Sequence, residues 1–418
     1  MNILDYLDWR GDLSFEVSAR NEVDALIFAW LSYYRFEELF TDEAVPDGLT
    51  LRELSALHAQ KNGPFQPIKL TTTIQPSLTA AWLLYCAGQT ERFGSVRICD
   101  FLRVADHAEG VQFAAVSFLI GDAQRVIAYR GTDDSVAGWK EDCRLSFLES
   151  VPAQAIAARY LEDVADGRGT LLCGHSKGGN LAVYAALHAS EARIDSIDGI
   201  YNFDGPGFCY DTIDSERFAR IRDRIITIVP ESSIVGMLLD HDEEYRVVES
   251  QMAGILQHDA MFWQVKGVSF VYSEKLNVSS VIADKALRDW IQGMSPQERQ
   301  EFVDALFGVI ESTGVEHLAE LPERIVQSGI RTLADTAPLS PQHKKMALRL
   351  LLAVVKAGNA KLYESAMRSG IVADIAKGIA DGTGQITEAV ERKLDAMASR
   401  SAARKRASKK PRLPKSKQ

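Results

Sequence analysis

The stretch Thr170 to Ala186, TLLCGHSKGGNLAVYAA, constrains this chain more than any other. The apolar run Leu171, Leu172, Cys173 enters Gly174-His175-Ser176-Lys177-Gly178, and helix formers follow at Leu181, Ala182, Ala185 and Ala186. Strand, tight turn and helix in that order are what a G-x-S-x-G pattern needs, because the turn must be sharp enough to present a serine hydroxyl. Glycine two residues either side lets the backbone pass without a Cβ clash. The helix that follows directs free N–H groups and its positive dipole end at the same point. Ser176 is the nucleophile this pattern nominates, at an exposed turn. A glycine-rich turn with an incidental serine is the plain alternative, so the assignment depends on partners elsewhere.

An acyl-transfer serine needs a histidine as base, an acid to orient it and an oxyanion hole. Where a strand–elbow–helix carries the serine, acid and histidine follow it in sequence. His188 falls on the helix after the elbow and points away. His241 lies in the charged run Leu239-Asp240-His241-Asp242-Glu243-Glu244, which reads as solvated. His258 lies between apolar groups, in Ile255-Leu256-Gln257-His258-Asp259-Ala260-Met261-Phe262-Trp263, and is the preferred base. For the acid, Asp204 closes the strand Gly199 to Phe203, and residues at carboxyl ends of parallel strands meet the site. Phe203-Asp204-Gly205-Pro206-Gly207 also has turn composition, which would leave Asp204 bonded to its own backbone. Glu231, after the next strand, is the rival acid, and Asp240 a distant third. The oxyanion donors are the backbone N–H of Lys177 and Thr132, the latter at the end of Ile127-Ala128-Tyr129-Arg130-Gly131-Thr132. Asp133 to Asp142 beyond it is polar and reads as a mobile lid.

Around the elbow, strands alternate with helices. Strand candidates are Val96 to Leu102, Gln112 to Ile120, Arg125 to Tyr129, Gly199 to Phe203, Ile225 to Val229, Arg246 to Glu249 and Val268 to Tyr272. Thr79 to Ala87 and Ala153 to Val164 read as helices, as does most of the chain before Pro67. The fold class is α/β: an α/β-hydrolase fold with a mostly parallel sheet covered on both faces. From about Val281 the pattern is helical throughout. Ser295-Pro296-Gln297-Glu298 is a capping box with proline at the first helical position, ahead of an apolar face at Phe302, Val303, Leu306, Phe307 and Ile310. Ser340-Pro341 opens a helix ending at Gly358, and a third runs from about Gln385 to Ala398. The expected organisation is a hydrolase domain over 1–285, a helical region over 286–398 and a disordered basic tail over 399–418.

Five scattered cysteines with no C-x-x-C pair argue against a disulfide framework and a zinc site, and fit a reducing compartment. The acidic N-terminus is no signal peptide, and no apolar run approaches membrane-spanning length, so a cytoplasmic location is expected. No cofactor or metal is implied. Nine Lys/Arg and no acid from Arg400 onward, against a net charge of −10, leave the rest of the chain at −19. Such a tail solubilises and can fold back on the body; weak binding to anionic surfaces is the alternative, and no specific nucleic acid is expected.

Taken together, the pieces resemble the class 3 (fungal triacylglycerol) lipases. Tyr129-Arg130-Gly131-Thr132, Trp139, Asp142 and Gly174-His175-Ser176-Lys177-Gly178-Gly179 match that family's blocks, as do Asp240 to Tyr245 and Gln257 to Phe262. More closely, Asp5-Tyr6-Leu7-Asp8-Trp9-Arg10-Gly11-Asp12, GHSKGGNLA, NFDGPGF and VPESSIVGMLL resemble a bacterial lipase-like group known as a domain of unknown function. The resemblance implies a fold and a triad but no substrate. It also carries a departure: the position of the lipases' acid corresponds to Ser233, so the acid is Glu231 nearby or has moved one strand earlier to Asp204. Lys177 in place of the lipases' leucine puts a cation beside the nucleophile. The leading expectation is a serine hydrolase acting on a carboxylic or lipid ester; the alternative is an inactive hydrolase-fold scaffold binding a partner through its helical region and tail.

Overall fold

The structure, a computed structural model, describes residues 1–40, 45, 48–68, 70, 75–106, 111–132, 140, 151–208, 212, 215–233, 235, 236, 241–274, 293–315, 321–335, 339–358 and 360–380. Met1–Pro296 forms one compact unit and Gln297–Gln418 a second. The boundary expected near residue 285, the helix expected over 385–398 and the basic tail lie outside the described residues.

The first unit is built on an eight-stranded sheet: β1 (Arg97–Asp106), β2 (Val111–Ile120), β3 (Gln124–Tyr129), β4 (Gly169–His175), β5 (Ile197–Phe203), β6 (Ile225–Pro230), β7 (Tyr245–Val248) and, at the far edge, β10 (Tyr272–Ser273). From β3 to β7 every neighbouring pair is parallel, while β1, β2 and β10 run antiparallel to their neighbours. This mostly parallel sheet, with a helix after the elbow strand, is an α/β-hydrolase fold. Val268 to Tyr272, expected as one strand, is two. Gly267 turns the chain at φ +64°, so β9 (Ser269–Phe270) folds back on β8 (Val265–Lys266) before β10 joins the edge.

Side chains alternate across the pleat, so each central strand feeds two cores. Val126, Ala128, Leu171, Cys173, Phe203 and Ile228 face one core, shared with α2 (Glu22–Leu31) and α4 (Pro76–Gly88). Ile127, Tyr129, Leu172 and Ile200 face the other, shared with α5 (Pro152–Val164) and α6 (Lys177–Leu187). Burial on both faces is why these strands read as unbroken apolar runs instead of alternating ones. Every residue of α2 is buried, in keeping with apolar character all round. Among the described residues, no helix is long and apolar enough to cross a membrane.

The helix α7 (Pro296–Glu311), which lies in the second unit from Gln297 onward, buries Phe302, Val303, Leu306, Phe307 and Ile310, the face its spacing predicts. Further helices are α8 (Pro341–Gly358), α9 (Ala360–Arg368) and α10 (Ile371–Ala380).

One buried ion pair ties the N-terminal segment to the helical turn that precedes β1. Arg92 and Asp24 are both fully enclosed, joined by Nε to Oδ1 at 2.8 Å and by a second bond to Oδ2 at 2.5 Å. The guanidinium also donates to the carbonyls of Leu13, Ser18 and Ala19, and the Tyr6 hydroxyl donates to Asp24 Oδ1. Arg92→Met, which strands the Asp24 charge, is expected to lower the stability of the full chain by about 3–5 kcal/mol in urea unfolding. Arg92→Met with Asp24→Leu should recover much of that loss.

Candidate active site

At the end of β4 the backbone of Ser176 takes φ 58° and ψ −133°, a strained conformation for a residue with a side chain, and α6 begins at the next residue. The glycines of the pattern are there for backbone clearance. A Cβ on Gly174 would collide with the carbonyl group of Gly178, and one on Gly178 with the carbonyl oxygen of Tyr129. The turn is pinned to the next strand by Ser176 N–H donating to the Phe203 carbonyl at 2.9 Å. Ser176 is only 6% exposed, so the expectation of an exposed side chain is corrected.

Asp204 follows β5 directly and also has a left-handed backbone, φ 52°. Its N–H donates to the Ile228 carbonyl at 2.9 Å, and its side chain is wholly buried. Oδ2 lies 2.6 Å from His258 Nδ1, while Oδ1 accepts from the Ser233 hydroxyl and, at 3.2 Å, from the Gly236 N–H. An ionised carboxylate only accepts, so His258 Nδ1 is the donor in this contact. Glu231 is half-buried, and its carboxylate makes no hydrogen bond among the described residues. Ser233, at the position where the resemblance puts the lipases' acid, instead braces the acid of the neighbouring strand.

His258 ends a short 3₁₀ segment, Gly254–His258, and its side chain is 16% exposed. Gln257 ties that segment to the loop of Ser233: its Oε1 accepts from Ser232 N–H at 2.7 Å and its Nε2 donates to the Met252 carbonyl at 3.0 Å. Trp263 Nε1 donates to the Gln257 carbonyl at 2.8 Å. On the other side, His175 Nε2 lies 2.7 Å from the carbonyl oxygen of His258, and His175 Nδ1 lies 2.9 Å from the Tyr33 hydroxyl. Burial, aided by the neighbouring His258, holds His175 well below the usual histidine range, so its ring is neutral. The carboxyl of Asp259 is pushed up to about 7 by burial, against the Met261 N–H and His258, which lower it. Its Oδ1 accepts from Met261 N–H, while its buried Oδ2 has no hydrogen-bond partner among the described residues.

Lys177 N–H starts α6, and Thr132, 7% exposed, follows the end of β3. Arg130 anchors that strand exit by donating to the Ser32 and Tyr34 carbonyls and pairing with Glu37. The expected cation beside the nucleophile is corrected. Lys177 is 1% exposed, and its ammonium turns back to the Gln112 carbonyl at 3.0 Å. His241 is corrected too. Its side chain is 6% exposed, not solvated, because Nδ1 pairs at 2.8 Å with Glu243, which also accepts from Thr227 of β6 at 2.6 Å. His188 stands exposed after α6, stacked on Tyr184. The expected lid, with Trp139 and Asp142, lies outside the described residues apart from Lys140, and Asp240 lies outside them as well. Among the described residues, no cluster of three or more His, Cys, Asp or Glu could hold a metal ion.

The structure therefore places Ser176 and Asp204 at the ends of neighbouring strands, with His258 bonded to Asp204 from its 3₁₀ segment and Lys177 N–H and Thr132 belonging to the adjoining turns. Tyr33, His175, Ser233 and Gln257 belong to the same assembly. Only Ser233 left a trace in the sequence, as the departure from the lipase pattern.

A family model described as Mbeg1-like matches residues 87–308, more than half of the chain, and the chain belongs to that family. This accords with the expected lipase-like group. No curated protein matches the chain. Among solved structures, one described as the crystal structure of M37 lipase is similar over 65% of this chain and 80% of its own, at 15% identity and a TM-score of 0.32.

Two expectations follow from the geometry. Asp204→Asn should cut turnover of any ester substrate by about four orders of magnitude with little change in melting temperature, whereas Glu231→Gln should lose little. Asp259 carries its proton in the folded chain to about pH 7. The unfolded chain releases that proton near pH ~4, so this group makes stability fall as pH rises between the two values. Urea unfolding of Asp259→Asn should show less of that decline across the same window.

Proposed function

We propose that this Mbeg1-like chain is a serine hydrolase that cleaves a carboxylic or lipid ester through an acyl-enzyme on Ser176. His258 Nε2 takes the Ser176 proton as the hydroxyl oxygen attacks the ester carbonyl. Asp204 holds the Nδ1–H tautomer and stabilises the imidazolium as it forms. The backbone N–H of Lys177 and Thr132 receive the negative charge of the tetrahedral intermediate, where preorganised donors have most effect. Collapse expels the alcohol, protonated by His258, and a water activated by the same imidazole then releases the acid.

The observation that carries this reading is the 2.6 Å contact between a wholly buried Asp204 and His258, beside a serine held at positive φ on the adjoining strand. Burying a carboxylate against a histidine gives little net stability, and an apolar pair would serve the fold as well. Strained backbone at both Ser176 and Asp204 points the same way, since such strain concentrates at functional sites.

Hydrolysis of a panel of p-nitrophenyl esters by the full chain tests the proposal. Ser176→Ala and His258→Ala should each abolish turnover to a similar extent, because triad members act as a unit, while His241→Ala should cost far less. Turnover by Ser176→Ala at the parent rate would remove the nucleophile assignment. Loss on His241→Ala with His258→Ala active would move the base.

A further inference from the structure

His175 lies inside the elbow pattern, yet its side chain does not face the reaction. It is 3% exposed and joins two segments far apart in sequence. A carbonyl oxygen can only accept, so Nε2, 2.7 Å from the His258 carbonyl, carries the ring's single hydrogen. Nδ1 is then an acceptor, and the Tyr33 hydroxyl, 2.9 Å away, is its donor. Both nitrogens are satisfied in one tautomer only. Trp30 packs on the same ring at 5.0 Å between centroids, and its own indole N–H donates to the Thr79 hydroxyl at 3.0 Å. The brace therefore runs from α4 through α2 to the backbone of the base.

The base needs such a brace because His258 sits on a 3₁₀ segment beyond the sheet and is not held in a strand ladder. The Asp204 contact fixes one ring atom, and Gln257, through Ser232, Met252 and Trp263, anchors the residue before the base. The bond from His175 is made to the main chain of His258 itself. The brace also has to be uncharged: the two imidazoles lie 4.6 Å apart, and a cation at His175 would oppose the imidazolium that must form on His258.

We infer that His175, set by Tyr33, is a positioning residue that holds the main chain of His258 so that its Nε2 stays aligned with Ser176. This rests on the Ser176–His258–Asp204 assignment. It makes the residue before the nucleophile the support of the base, so that elbow and base are aligned by one side chain.

The test is the second-order rate at which a fluorophosphonate labels the full-length chain, measured for the parent and for His175→Phe, His175→Gln and Tyr33→Phe. Phenylalanine keeps the ring contact with Trp30 and loses the donor. The glutamine amide nitrogen reaches near the position of Nε2 and restores it. Labelling of folded His175→Phe should slow by about tenfold to a hundredfold, with His175→Gln returning to within about threefold of the parent. Tyr33→Phe, which frees the tautomer, should slow it by a smaller factor. Labelling of folded His175→Phe at the parent rate overturns the proposal, as does a folded His175→Gln no faster than His175→Phe. Should the His175 variants not fold, Tyr33→Phe decides: slower labelling supports the brace, and an unchanged rate overturns it. A parent that takes no label overturns the nucleophile assignment itself, and this proposal with it.

Discussion

Asp204 sits wholly out of solvent at the end of β5, one oxygen on His258 and the other shared between the Ser233 hydroxyl and the Gly236 N–H. A carboxylate in that position is costly unless each of its partners is in place. The surrounding structure can be understood as what keeps them there. Parallel pairing of β4, β5 and β6 brings the elbow, the acid and the Ser233 loop to the carboxyl ends of neighbouring strands. The Ser176 N–H on the Phe203 carbonyl and the Asp204 N–H on the Ile228 carbonyl lock those three strand ends in step. Gln257 then closes the loop of the base onto the loop of Ser233.

The N-terminal segment belongs to the same argument. Its helices cover one face of the sheet, held by the Arg92–Asp24 pair, and they place Trp30 and Tyr33 against His175. Arg130 reaches from the end of β3 to the carbonyls just after α2. A segment that looks in sequence like a helical preface is thus structural support for the site, although it contributes no residue to the proposed chemistry.

Much of the fold was legible in the sequence because its signals are local. Doubly covered strands read as apolar runs, the elbow has its glycines, and the helices at Pro296 and Pro341 start on proline after a serine. Asp204 could be nominated from its place just after a strand, since the ends of neighbouring parallel strands converge. What remained hidden depends on contacts between distant residues. Tyr33 and His175 are 142 residues apart, and neither composition nor spacing signals their hydrogen bond. His241 sits among acids that suggest solvent, but pairing of β6 with β7 brings Thr227 and Glu243 together around it. Lys177 misleads for a related reason: its stem folds back into the protein, and its ammonium ends on a β2 carbonyl.

The central physical claim is that the His258 Nδ1 hydrogen is bound to Asp204 in a buried, short contact. Proton NMR of the full chain observes that hydrogen directly, because one shielded from water and shared with a carboxylate resonates far downfield of ordinary imidazole protons. The account predicts such a resonance in the parent and in Ser176→Ala and Glu231→Gln, and its loss in Asp204→Asn and His258→Ala. A resonance that survives Asp204→Asn but disappears in Glu231→Gln, or the lack of any such resonance in the parent, would contradict it.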